Sequence, residues 1–101
     1  MKRKVTEKWV KSQIVKTLKQ FEAYYFFPVA SGYMTIGVPD IIVCYQGKFI
    51  GIECKANGNT PTVLQSKNLK AIQTAGGYAM VVDETDINAV SLLLNQIKLM
   101  D

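Results

Sequence analysis

Asp40, Glu53 and Lys55 stand at the two ends of one mostly apolar stretch, GVPDIIVCYQGKFIGIECK, which runs from Gly37 to Lys55. Asp40–Tyr45 and Lys48–Lys55 are rich in β-branched and aromatic residues and flank Gln46-Gly47, which predicts two strands and a tight turn. With that turn, Tyr45 opposes Lys48, Val43 opposes Ile50 and Ile41 opposes Ile52. Asp40 then falls opposite Glu53. Opposed residues share a face with their Cβ atoms ~5 Å apart. Lys55, two residues beyond Glu53, shares that face. Two carboxylates so placed repel by about 3 kcal/mol at an effective dielectric near 20, which is a large share of a small domain's stability. A proton on one carboxyl, the Lys55 ammonium or a divalent cation would relieve the repulsion. Hard cations such as Mg²⁺ take one or two carboxylates together with water and phosphate oxygens. A cation would therefore also explain why both carboxylates are present. The other reading is a shallow ion triad at a strand end.

Other groups join these three through their helical spacing. Val5 to Glu22 reads as a helix with an apolar stripe of Val10, Ile14, Val15, Leu18 and Phe21. Glu7 lies seven residues before Ile14, nearly two turns, and so falls on the apolar face. It is either an acid favoured by the helix dipole or a group pointing inward for a purpose. A second helix is expected from Pro61, capped by Thr60, to Ala75, where Gly76-Gly77 stops it. Gln65, Leu69 and Ile72 share one side of it. Gln65 would serve a carboxylate cluster or a phosphate, or would cap a backbone group. Lys2, Arg3, Lys4, Lys8, Lys11, Lys16 and Lys19 supply seven of the twelve basic residues, all within the first nineteen positions. A basic end attracts polyanions, nucleic acid foremost, or is simply a solvated face. Lys4, Lys8 and Lys11 are the candidate DNA contacts.

The rest of the chain must hold these groups in place. Ala23–Ala30 reads as an aromatic strand ended near Pro28, Ser31–Gly37 as a loop, Tyr78–Asp83 as a strand and Asp86–Met100 as a last helix. The order is α-β-β-β-α-β-α. The three central strands are apolar on both faces, which predicts an α/β domain with a mixed sheet covered by helices on both sides. A chain of 101 residues, 49% apolar, suits one domain over 1–101. No apolar run is long enough to span a membrane. The basic N-terminus lacks the apolar stretch of a signal peptide, which points to the cytoplasm. The sequence has no histidine, which excludes Ser-His-Asp, Cys-His and histidine-based nuclease chemistry. Cys44 and Cys54 fall on opposite sheet faces, so no disulfide is expected, and both are read as buried thiols.

"PD" at Pro39-Asp40 followed by "ECK" at Glu53–Lys55 resembles the PD-(D/E)xK nuclease superfamily. The order GVPD, strand, short turn, GKFIGIECK, a helix opening TPTVLQ, then AGGYAMVV resembles the virus-type replication-repair nuclease (VRR-Nuc) family from about Glu7 to Asp83. The resemblance implies a restriction-endonuclease-like core and metal-dependent hydrolysis of DNA without a covalent intermediate. Asp40, Glu53 and the backbone carbonyl of Cys54 would hold Mg²⁺ or Mn²⁺. Lys55 would orient or polarise the attacking water. Glu7 matches the family's first-helix glutamate, and Gln65 its glutamine after the metal motif. Members often carry a basic residue before the glycine of G-x-P-D, where this chain has Ile36. Small stand-alone members resemble Holliday-junction resolvases acting as homodimers on branched DNA. Flap-directed or sequence-specific cleavage and a silent DNA-binding module are the other expectations.

Overall fold

The computed structural model describes residues 4–29 and 36–100. Lys2, Arg3 and most of the expected 31–37 loop lie outside the described residues. Three helices and four strands follow the expected order: α1 (Glu7–Gln20), β1 (Tyr24–Phe26), β2 (Ile41–Tyr45), β3 (Lys48–Cys54), α2 (Val63–Thr74), β4 (Tyr78–Val82) and α3 (Asn88–Lys98). The strands form one mixed sheet in the order β1-β2-β3-β4. β1 to β3 pair antiparallel, and β4 pairs parallel with β3 after the α2 crossover. None of the described helices is long and apolar enough to cross a membrane.

One sheet face carries the core. Val10, Ile14 and Leu18 of α1 and Val90, Leu94 and Ile97 of α3 join Ile41, Val43, Ile50, Ile52 and Val82 in one buried cluster. Burial of such side chains stabilises the domain by roughly 1.5–3 kcal/mol each. Period-3.6 stripes on two helices thus meet the period-2 pattern of three strands.

The opposite face is less covered than the double-sided apolar pattern suggests. α2 buries no residue fully. It lies over β3 and β4 and leaves the β1–β2 side open. Tyr24 and Phe26 are exposed there, and Phe49 of β3 is exposed beside α2. Cys44, between Tyr24 and Phe49 in the ladder, is an exposed thiol rather than a buried one, whereas Cys54 is buried as expected.

Element ends shift for local reasons. β1 stops at Phe26, opposite Ile42, because its partner β2 begins at Ile41 and Pro28 has no N–H to offer. α1 starts after Thr6, whose hydroxyl accepts the Trp9 N–H at 3.0 Å. Asp86 lies ahead of α3, where its carboxylate accepts the Asp83 N–H at 2.8 Å.

Candidate active site

The hairpin has the register read from the sequence: Ile41 pairs with Ile52, Val43 with Ile50 and Tyr45 with Lys48. Beyond the last rung, the Asp40 carboxylate takes over the ladder. Its Oδ2 accepts the Cys54 N–H at 2.8 Å. This bond holds Asp40 beside Glu53 and Lys55. Glu53 is 1% exposed and Lys55 7% exposed, while Asp40 is half-buried, so the site is a buried pair opened to the surface at Asp40 and not a shallow surface triad. Lys55 Nζ lies 3.4 Å from Glu53 Oε2, while Glu53 Oε1 is buried with no hydrogen-bond partner among the described residues. Burial, then the Asp40 charge, push the Glu53 carboxyl up to about 7, against the opposing pull of Lys55. Burial pushes the Cys54 thiol up to about 12, which removes it as a nucleophile.

The GVPD segment is seated by backbone packing. Gly37 has φ +92°, and a Cβ there would lie 2.7 Å from the Leu64 carbonyl carbon in α2. Asn68 Nδ2 donates to the Ile36 carbonyl at 3.3 Å, tying the same segment to α2. At Gly51 a Cβ would meet Ile72 Cδ1 at 2.6 Å and Pro39 Cγ at 3.0 Å, so α2 and Pro39 both rest on bare β3 backbone. Gly37→Ala is expected to lower stability by roughly 2–4 kcal/mol, from left-handed strain and overpacking together. Urea unfolding checks this, and an unchanged midpoint would refute the close seating of Gly37 on α2.

Glu7, Lys8 and Lys11 line a cleft of about 350 Å³ together with Asp40 and Cys54. The first helix therefore brings one acid and two amines to the Asp40 side of the carboxylate site, whereas Glu53 and Lys55 do not line this cleft. Lys11 Nζ lies 3.9 Å from the centre of the Phe27 ring, a cation–π contact that steadies the ammonium at the cleft. Lys4 is not part of this cleft and lies beside Val5, Thr6 and Trp9.

Gln65 has a local task. Thr62, not Thr60, caps α2, which starts at Val63 and not at Pro61. Gln65 Oε1 accepts the Thr62 N–H at 2.9 Å, and Thr62 Oγ1 accepts the Gln65 N–H at 3.2 Å. This reciprocal box satisfies two helix-terminal donors, which a Thr60 cap would leave unpaired. The backbone-capping alternative for Gln65 is thus the observed one. Sequence reading also missed Phe27 as the aromatic partner of Lys11. The aromatic run was visible, but the fold alone sets its place across from α1.

Among the described residues no group of three or more His, Cys, Asp or Glu side chains is placed to hold a metal ion. Two carboxylates, Asp40 and Glu53, are what side chains supply. The buried oxygen of Glu53 without a partner, facing a second carboxylate, fits a hard cation.

An α-β-β-β-α-β-α chain with a four-stranded mixed sheet flanked by helices has the layout of a restriction-endonuclease-like core. No family model matches the chain. Over 60 residues it is 35% identical to "Putative nuclease p44" of Acyrthosiphon pisum secondary endosymbiont phage 1, a match covering 58% of this chain. The chain spans 64% of that relative's length.

Proposed function

We propose that the protein is a metal-dependent DNA endonuclease that hydrolyses phosphodiester bonds, with branched DNA such as a four-way junction as its substrate. Buried Glu53 beside the half-buried Asp40, with one orphaned Glu53 oxygen and Lys55 at 3.4 Å, carries this reading. The likeness to a relative named as a nuclease agrees with it.

Asp40, Glu53 and the Cys54 backbone carbonyl would hold Mg²⁺ or Mn²⁺. A divalent cation there would supply Lewis acidity, acidifying water and offsetting charge on the phosphate. The remaining work falls to the chain's own side chains. Lys8 and Lys11 bind backbone phosphate along the cleft. Lys55 Nζ, buried and fixed by Glu53, donates a hydrogen bond to the attacking water or to a phosphate oxygen as charge develops. Glu7, exposed at the rim, would accept a proton from incoming water. Water adds to phosphorus, the ester P–O bond breaks, and the leaving oxygen takes up a proton. With no histidine and an inert Cys54, no covalent intermediate is required.

Two strands of a junction need two sites, so a homodimer fits this substrate. The open sheet face with Tyr24, Phe26 and Phe49 offers an apolar surface for a second copy.

The test incubates end-labelled junction, flap and linear duplex DNA with Mg²⁺, Mn²⁺ or EDTA, beside Asp40→Asn. Sedimentation of the same preparation gives the mass. The expected result is junction cutting that needs both the metal and Asp40, by a dimer. Cutting of flaps or ends alone keeps the nuclease and removes the junction. A single cut at one short sequence in duplex makes the enzyme sequence-specific. Junction binding without any cutting leaves a silent DNA-binding module.

A further inference from the structure

We propose that Asn57 is a positioning residue that holds the first turn of α1, and with it Glu7 and Lys8, against the carboxylate site. The catalytic meaning of this tie rests on the nuclease reading above. Three chain segments meet at Asn57: the end of β3, the end of β4 and the residues just before α1. Its side-chain Nδ2 donates to the Val5 carbonyl at 2.6 Å. Its backbone N–H donates to both carboxylate oxygens of Glu84, at 3.2 and 3.1 Å. Lys55, two residues earlier, donates its N–H to the Val82 carbonyl at 2.9 Å, so the strand bearing the site runs straight into this junction.

The backbone at Asn57 is left-handed, with φ +57°, and Gly58 follows at φ +78°. Asparagine tolerates that conformation better than most residues and still carries an amide. The need for such a tie is visible in α1. Its buried stripe begins only at Val10. From Lys4 to Trp9, Val5 alone is even half-buried. Apolar packing therefore sets the helix from Val10 onward; ahead of it Val5 packs against the core, and the turn that carries Glu7 and Lys8 buries no side chain of its own. The Thr6 cap is internal to that turn and cannot place it against the sheet. The Asn57–Val5 bond can, because it joins the turn to the end of β3.

Trp9, the one tryptophan, lies in the same turn and reports on its motion. Asn57→Gly keeps the left-handed backbone and removes the amide. Asn57→Asp keeps the side-chain shape and removes the donor. In both, the fluorescence anisotropy of Trp9 is expected to fall while the thermal midpoint moves by only a few degrees. kcat on cleavable DNA is expected to drop about tenfold or more, since small displacements of reacting groups are costly, with DNA affinity changed less. In a Glu7→Gln background, Asn57→Gly should then lower kcat little further, because both changes act through one group. Unchanged Trp9 anisotropy in both variants would overturn the tie whether or not the protein cuts DNA. Full additivity with Glu7→Gln would overturn the positioning role. If the wild-type protein cuts nothing, the nuclease reading and the catalytic part of this proposal fall together, and the anisotropy still decides whether Asn57 holds the turn.

Discussion

Glu53→Gln is expected to abolish DNA cleavage while making the metal-free protein more stable at alkaline pH. The two effects have one cause. Glu53 is buried beside Asp40, and its carboxyl is raised from 4.5 to about 7 even with Lys55 at 3.4 Å. The ionised form is therefore a net cost in the folded state. The sign follows from linkage. Between 4.5 and about 7 the folded protein binds a proton that the unfolded chain has released, so stability falls as pH rises through that window. The shift corresponds to roughly 3 kcal/mol in all. Glutamine is neutral at every pH. At pH 8 in EDTA, Glu53→Gln should exceed wild type by roughly 2 kcal/mol, with the difference vanishing near pH 5. Cleavage should fall about a thousandfold or more, as expected when charge stabilisation at the reacting phosphate is removed. Mn²⁺ should stabilise wild type and not the variant, since only wild type would hold the ion. Urea unfolding at the two pH values decides the matter. A variant weaker than wild type at pH 8 would mean that the Glu53–Lys55 pair exists for stability, and the metal reading would fail.

Lys55→Met should also remove cleavage, by roughly 10²–10⁴-fold, but with the opposite effect on alkaline stability. Lys55 is the group that lowers the Glu53 carboxyl, so its loss pushes that carboxyl higher still. Removing one partner of a buried pair leaves an uncompensated charge, which costs up to 3–5 kcal/mol where the charge cannot escape. Here Glu53 escapes by taking a proton, so roughly 1–3 kcal/mol at pH 8 is expected. Near pH 5 Glu53 is already protonated, and methionine spares the burial of an ammonium. The variant should then match or exceed wild type. The pH dependence of stability therefore steepens in Lys55→Met and flattens in Glu53→Gln. Wild-type cleavage rates in Lys55→Met would reduce the lysine to a counter-ion.

Much of the site was legible because hairpin pairing is local arithmetic. Once Gln46-Gly47 is the turn, period two places Asp40 opposite Glu53 and Lys55 on the same face, and the register agrees. Helix-period stripes likewise identify Val10, Ile14 and Leu18 as core. Gln65 was harder. Its spacing put it toward the sheet, but a threonine three residues earlier captured it in a capping box. Choosing between Thr60 and Thr62 as the cap depends on which donors the turn after β3 leaves free. The burial of Cys44 was misjudged because an apolar strand does not say how far the neighbouring helix extends over it.

By itself, the sequence determined the order of elements, the hairpin register and the meeting of two carboxylates with a lysine. These depend on contacts between near neighbours in the chain, where spacing dictates geometry. Only the tertiary structure decided that Glu53 and Lys55 are buried, that Glu53 keeps an oxygen without a partner, and that Glu7, Lys8 and Lys11 share a cleft with Asp40. It alone joined Asn57 to Val5 and Glu84, 52 and 27 positions away. Burial and long-range hydrogen bonds depend on how whole elements pack, and no local spacing carries that information.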